Sequence, residues 1–513
     1  MTLHDEVLLE VFDLYRQSLG DQLNSERVWN TKNGWFKLAH VCHNWRSVVL
    51  SSPYRLRLRI YFAHNTPTRA AALRPFSHLP IIVDYSHAVN WNGNTLKRLV
   101  SALRYPDRVC RIAIKGSYMD PATISKALDL SFPALESLEL HNLGSFDPTI
   151  LLATPFMNSI QSLRHLQLDG TSRFPILSQV LSATTSLVDL TLSVLTVDCL
   201  IDGASIFAHL QRMPHLRNLQ VFTRFFSPAG IPPITTTALL AELTYFRFSA
   251  GCPQMERFMA GLVAPSLREL HISVFEDESD TLHVPHLSNF IRVTGFVFFA
   301  ARLTISYYTF KTSLFAHPLS IDGPPSKIVT IKTSSSVRLD NAFSPMLATL
   351  EDIFISFSDS IKFDKSSPQN LIHLRRFFEE FRNVKVLRLH HGLETEVVDM
   401  LRQPNVDPLP AQEEVDPDAT APSSTPTSYN TSQFTSDIFP SLEEIVVYAR
   451  RPNMSIEEEE RASVLESFGP FATARHQVGR PVKVLLDADG KVPRYFITDS
   501  EHFLDGSKYH WFF

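Results

Sequence analysis

The chain has only four cysteines, Cys42, Cys110, Cys199 and Cys252, and none stands at a C-x-x-C spacing to another. Zinc knuckles and disulfide frameworks need clustered thiols, so neither is expected, and a reducing compartment, cytoplasm or nucleus, suits the chain. Long apolar runs are missing as well. Even the stretch from Phe296 to Ala301 is far shorter than the roughly 20 residues of a membrane helix. The opening M-T-L-H-D-E carries acid where a secretory leader carries base, so the sequons at Asn430 and Asn453 read as chance matches. Nor is there an excess of positive charge: a net charge of -5 gives no electrostatic case for nucleic acid or an anionic membrane surface.

Catalytic signatures are absent too. The sequence contains no G-x-x-x-x-G-K-[ST] loop, no G-x-S-x-G elbow and no H-E-x-x-H pair, and its 20 histidines are scattered. An enzyme, a cofactor and a bound metal are therefore not expected. Cys42 beside His43 suggests a thiol nucleophile, but helix geometry turns His43 about 100° away. Cys42 falls on the apolar side with Leu38 and Trp45, where a thiol behaves as a small hydrophobe.

What is present is repetition. At 513 residues the chain exceeds what one core organises, which predicts several domains or a repeat array. From Pro133 one phrase returns: P-A-L-E-S-L-E-L, Q-S-L-R-H-L-Q-L, T-S-L-V-D-L-T-L, P-H-L-R-N-L-Q-V and P-S-L-R-E-L-H-I, with leading leucines at 135, 163, 187, 216 and 267. Looser copies of L-x-x-L-x-L follow at Leu243–Phe248, Leu350–Ile355, Val384–Leu389 and Leu442–Val447. Between them lie helical patterns such as Ile206, Phe207, Leu210 and Met213. Stacked helix-then-strand units bury their apolar faces only against neighbours, which predicts an α/β solenoid with a parallel sheet and outer helices. The pattern and its 24- to 29-residue steps resemble the leucine-rich repeat. The asparagine or cysteine that repeat carries three positions past its third leucine is replaced here by Leu143, Thr171, Leu195, Arg224 and Phe275, which predicts irregular curvature.

Strand alternation turns Leu138, Leu166, Leu190, Leu219 and Leu270 inward and their flanking residues to the concave side. That names Ser137, Glu139, His165, Gln167, Asp189, Thr191, Asn218, Gln220, Tyr245, Arg247, Glu269 and His271 as an almost wholly polar stripe. Such a stripe suits a polar protein segment better than an apolar small molecule, with Tyr245 and Arg247 the anchor types.

Elsewhere, strands are predicted where Leu56, Leu58 and Ile60 alternate, at 79–85 and at 109–114, with a helix around Thr95 to Tyr105 closed by Pro106. Residues 285–340 hide the period, and strands are expected to continue there with longer connections. Residues 404–437, rich in Pro, Ser, Thr and acid, read as a disordered insertion. The rhythm resumes at residue 438, Ser455 and Glu458 suggest a capping box for a helix through Phe468, and Val482 to Leu486 reads as a closing strand. The expected domains are a helical segment at 1–55, repeats at 56–403, the insertion, a last repeat with its cap at 438–490, and a tail at 491–513.

The first of these has its own signature. Val7, Leu8, Val11 and Phe12 keep a helical period after Leu3, and Leu38, Val41, Cys42, Trp45, Val48 and Val49 keep another within W-F-K-L-A-H-V-C-H-N-W-R-S-V-V, read as one continuous helix. Set together, L-H-D-E-V-L-L-E-V-F and L-A-H-V-C-H-N-W-R resemble the F-box, with His4 where that family usually has proline and residues 17–34 as an insertion. The resemblance implies docking onto a Skp-type adaptor, and through it a cullin, by Leu3, Val7, Leu8, Val11, Phe12, Leu38, Val41, Cys42 and Trp45. With the repeats and the late P-S-L-E-E and S-F-G-P-F segments, the chain resembles fungal F-box proteins, substrate-recognition subunits of SCF-type ubiquitin ligases that hold an as yet unknown protein target. A stand-alone repeat scaffold is the alternative.

Overall fold

The computed structural model describes residues 4–20, 34–52, 56, 59–63, 79–85, 93–115, 129–141, 154–169, 174–194, 203–223, 237–274, 281–282, 284–296, 298–305, 309–316, 328–334, 338–339, 347–357, 378–390, 393, 397–398, 401, 438–448 and 458–487. Leu3, most of the insertion expected at 17–34, Ser455, the segment 404–437 and the tail from 491 lie outside the described residues. So do the five positions where the repeat's asparagine or cysteine is replaced. The chain forms two compact units, one of residues 1–244 with 261–264, the other of residues 245–260 with 265–513.

Among the described residues the first unit opens with three helices, α1 (Asp5–Gly20), α2 (Gly34–Val41) and α3 (His43–Ser51). The single helix expected across Trp35 to Val49 is in fact two, broken at Cys42. That residue is extended, with φ −157° and ψ 173°, and its Sγ accepts the Trp45 backbone N–H at 3.4 Å. A thiol thus fills the N-cap position that Ser, Thr, Asp or Asn usually occupies, supplying an acceptor to one of the orphan amides of α3. Cys42 is consequently exposed and does not act as the buried hydrophobe expected.

Seven strands follow: β1 (Ile60–Ala63), β2 (Ile81–Tyr85), β3 (Val109–Lys115), β4 (Ser137–His141), β5 (His165–Asp169), β6 (Asp189–Val194) and β7 (Asn218–Thr223). They pair in sequence order and all are parallel. β1 starts later than the alternation of Leu56, Leu58 and Ile60 predicts. Leu56 sits in a buried turn, while Arg57 and Leu58 lie outside the described residues. Helices α4 (Gly93–Leu103), α5 (Thr154–Ser159), α6 (Phe174–Ala183) and α7 (Gly203–Leu210) fall between strands, as the helical patterns predict.

The phrase L-x-x-L-x-L folds the same way each time. Its first leucine, at 135, 163, 187, 216 or 243, is fully buried before the strand, and its second and third, such as Leu138 and Leu140 or Leu190 and Leu192, are buried from within it. The sequence reading missed a further member of the motif. The amides of Leu135, Leu163, Leu216, Leu243, Leu350 and Leu442 donate to the carbonyls of Phe132, Ile160, Met213, Leu240, Leu347 and Phe439, in each case three residues back. Those six apolar residues are themselves buried. Each of these six strands is therefore entered through a tight turn whose first residue is pinned in the core, and the register is set before the strand begins.

In the second unit the strands of the main sheet are β8 (Tyr245–Ala250), β9 (Glu269–Val274), β10 (Phe298–Ile305), β11 (Thr309–Ala316), β12 (Ile328–Ser334), β13 (Asp352–Phe357), β14 (Val386–His390), β15 (Glu444–Tyr448) and β16 (Lys483–Asp487). Their spatial order is β8-β9-β12-β11-β10-β13-β14-β15-β16. The sheet is parallel as expected apart from β11, which runs antiparallel to both β10 and β12. The reason is the three-residue connection between Ile305 and Thr309, since a parallel crossover needs a dozen residues or more and so short a link closes only as a hairpin.

Helices α8 (Cys252–Ala260) and α9 (Pro285–Val293) pack on one another in this unit. The buried Glu256 of α8 accepts the backbone amides of His286 and Leu287 at 2.7 and 2.9 Å, placing a carboxylate on the positive N-terminal end of α9. The last helix, α10 (Glu458–Gln477), continues through Pro470 beyond the end expected at Phe468. Its buried Arg475 donates to the carbonyls of Pro440 and Leu442 and ties α10 to the turn entering β15.

Candidate functional site

Two surfaces of the first unit and one of the second carry the residues singled out in the sequence. In the N-terminal helices the set divides in two. Leu8, Phe12 and Leu38 are buried together with Val48 and Val49, and the Trp45 ring meets Phe12 with centroids 4.9 Å apart. These residues hold the three helices to one another. Val7 at 46%, Val11 at 42% and Val41 at 58% exposure, with Cys42, stay in solvent. Leu14, which the sequence reading did not single out, is 64% exposed. Spacings of four and three residues place Val7, Val11 and Leu14 on one stripe of α1, and that spacing was the signal available in the sequence.

The open face of β3 to β7 is built by register. Arg111, Ser137, His165, Asp189 and Asn218 form one row across the strands, Ala113, Glu139, Gln167, Thr191 and Gln220 a second, and Lys115, His141, Asp169, Ser193 and Phe222 a third. The sequence-predicted residues of this unit therefore lie side by side. Arg111 pairs with Glu139, while His165 and Asn218 both bond Asp189. His141 lies 3.7 Å from Asp169 and 4.0 Å from Glu139. Burial by itself lowers the basicity of His141, but the Asp169 and Glu139 carboxylates outweigh it and raise the imidazole to about 9.

A hollow of about 420 Å³ opens on this face between Arg59, Arg111, Glu136, His165 and Thr191. A register shift between β2 and β3 at Ile81 and Ile82 also brings Cys110 to it. That thiol donates to the Ile81 carbonyl at 3.4 Å, and burial pushes its pKa up, so it stays protonated and a poor nucleophile.

In the second unit Tyr245 and Glu269 are register neighbours, as are Arg247 and His271. The Tyr245 and His271 rings stand 5.2 Å apart, and burial raises the pKa of the Tyr245 hydroxyl. The polar alternation ends further on. At β13 to β15 the face opposite Ile353, Leu387 and Ile445 carries an apolar cluster, with Phe354, Val446 and Tyr448 buried beside Ala300. Arg388 is set into it, donating to both oxygens of Asp352 at 2.8 and 2.9 Å and to the Tyr448 hydroxyl at 3.0 Å. Among the described residues no group of three or more His, Cys, Asp or Glu side chains is arranged to hold a metal ion.

No family model matches the sequence, and no curated protein matches it. Among solved structures the chain is similar to the leucine-rich repeat-containing protein LegL7 from Legionella pneumophila, at 10% identity and a TM-score of 0.24, over 80% of this chain and 97% of that one.

Proposed function

We propose that the chain is a non-enzymatic substrate-recognition subunit of an SCF-type cullin-RING ubiquitin ligase, whose N-terminal helices hold a Skp-type adaptor while the repeats hold a target protein. The observation that carries this reading is the division of the apolar residues in α1 to α3. One set closes the helices on each other, and a second, Val7, Val11, Leu14 and Val41, is left uncovered. Burying such side chains contributes about 1 kcal/mol or more each, so a stripe of them favours a partner over water. The W-F-K-L-A-H-V-C-H-N-W-R string supplies the resemblance that says which partner. A purified Skp-type adaptor should bind the wild-type chain, and Val11→Asp with Val41→Asp should abolish binding without changing the circular dichroism spectrum. Retained binding by the double variant overturns the reading.

A stand-alone repeat scaffold is the second reading, and His4 favours it. Where the resembled family has proline this chain has an exposed histidine at the start of α1. Absence of any adaptor interaction by the wild-type chain would select this alternative.

A further inference from the structure

β16 is the last strand of the main sheet and, among the described residues, has β15 as its single neighbour. The Lys483 amide donates to the Glu443 carbonyl at 2.9 Å, and Lys483, Leu485 and Asp487 stand in register with Glu444, Val446 and Tyr448. Backbone groups of successive strand residues point to alternate edges, so the N–H and C=O of Lys483, Leu485 and Asp487 serve β15 while those of Val484 and Leu486 point away from it. Such a row is a template for another strand. Lys483 is exposed, and Val484 is only half-buried. Leu485 packs against Ala300, Phe354, Val446 and Tyr448 and is itself half-buried, so the apolar cluster reaches this edge with part of its surface in water.

The order of residues says which strand fits. β16 reads K-V-L-L-D. Laid antiparallel on a second copy of itself, with a two-fold axis at Leu485, it sets Lys483 opposite Asp487 at both ends, Val484 opposite Leu486, and Leu485 opposite Leu485. The hydrogen-bond phase agrees with this register. The outward groups of Val484 in one copy meet those of Leu486 in the other, two bonds for each of two symmetric pairs and about four in all. Lys483 with Asp487, and Leu485 with itself, fall at the non-hydrogen-bonded positions, where opposed Cα atoms are only about 4.5 Å apart and side chains come closest. Opposite charges at such positions are favourable and like charges are not. Parallel self-pairing in register brings lysine to lysine and aspartate to aspartate, so charge selects the antiparallel arrangement.

We propose that β16 is a self-complementary edge through which two copies of the chain pair, antiparallel and centred on Leu485. The contact is isologous, so it uses up the β16 edge of both copies and adds no third. It also covers the half-buried Leu485 of each copy with that of the other. The proposal rests neither on the adaptor nor on a target protein.

Sedimentation equilibrium of the purified full-length chain tests it. The mass should rise with concentration from that of one copy towards that of two and stop there. Lys483→Glu sets a second carboxylate opposite Asp487 twice per dimer and should weaken association about tenfold or more, and Asp487→Lys should do the same. The two substitutions together restore opposite charges and should restore the dimer. Val484→Pro removes two of the four bonds, at a position where the N–H faces outward and proline is tolerated, and should weaken association as much as either charge reversal. Thermal melts at a dilution where every sample is monomeric should be unchanged in the charge variants. If Val484→Pro misfolds, the charge swap decides alone. A monomer at every concentration, single reversals that dimerise like the wild type, or a double reversal that fails to restore the dimer overturns the proposal.

Discussion

The ring of Trp45 stands edge-on to that of Phe12, at an interplanar angle of 64°, so the residue that marks the N-terminal signature is spent on holding α3 to α1. Trp45→Ala should therefore lower the stability of the helical segment by about 3 kcal/mol, as truncation of a packed aromatic does. Val41→Asp, on an exposed position, should change stability by less than about 0.5 kcal/mol. Urea denaturation of the two single variants distinguishes them, and a large loss from Val41→Asp would mean that its surface is already covered within the chain.

The leucine ladder gives a second expectation. Leu166→Ala, Leu190→Ala and Leu219→Ala each remove a side chain with almost no exposure, and each should cost about 2–5 kcal/mol. Thermal melts of the three variants check this. Shifts of a degree or less would show that the strands do not bury this face.

His141 makes stability depend on pH in a defined direction. Its pKa is about 9 when folded and about 6.5 when unfolded, so its contribution is fully present below pH 6.5 and disappears as pH rises through 9. The gap corresponds to a few kcal/mol at most. His141→Gln should accordingly be most destabilising near pH 6 and close to neutral near pH 9.5, which chemical denaturation across that range would measure. A pH-independent difference contradicts the ion-pair geometry with Asp169 and Glu139.

Arg388 and Asp352 form a largely buried pair set into apolar surroundings. Removing one partner strands the other, so Arg388→Leu should cost about 3–5 kcal/mol. Adding Asp352→Leu should recover much of that loss, since two apolar side chains replace two desolvated charges. A double-mutant cycle read by thermal denaturation gives the coupling, and additive losses would show that the pair is not coupled.

Much of the fold was legible because L-x-x-L-x-L states both strand and register: every copy, from Leu135 to Leu442, enters a strand two residues after its first leucine or valine. The polar row from His165 to Asn218 was legible for the same reason, since a period of two assigns each residue a face. Three features were not. The break at Cys42 depends on a thiol acting as a helix cap, a role for which cysteine gives little warning. The exposure of Val7, Val11 and Val41 is invisible to periodicity, which places residues on a side without saying whether anything covers it. The apolar cluster on the second face of β13 to β15 was hidden in I-F-I and I-V-V-Y, short runs that suit a strand buried on both sides as well as on one.

The antiparallel excursion bears on how the chain is made. In a strictly sequential array each new strand has its seat ready as it leaves the ribosome, but β9 is followed on the sheet by β12. Its far edge stays bare until Ile328–Ser334 has emerged, while β10 and β11 can already close on one another as a local hairpin. β10, translated first of the three, reaches its parallel neighbour β13 last. The sheet at this point is completed by the final strand of a three-stranded meander, and until that strand docks the edge of β9 lacks its native neighbour.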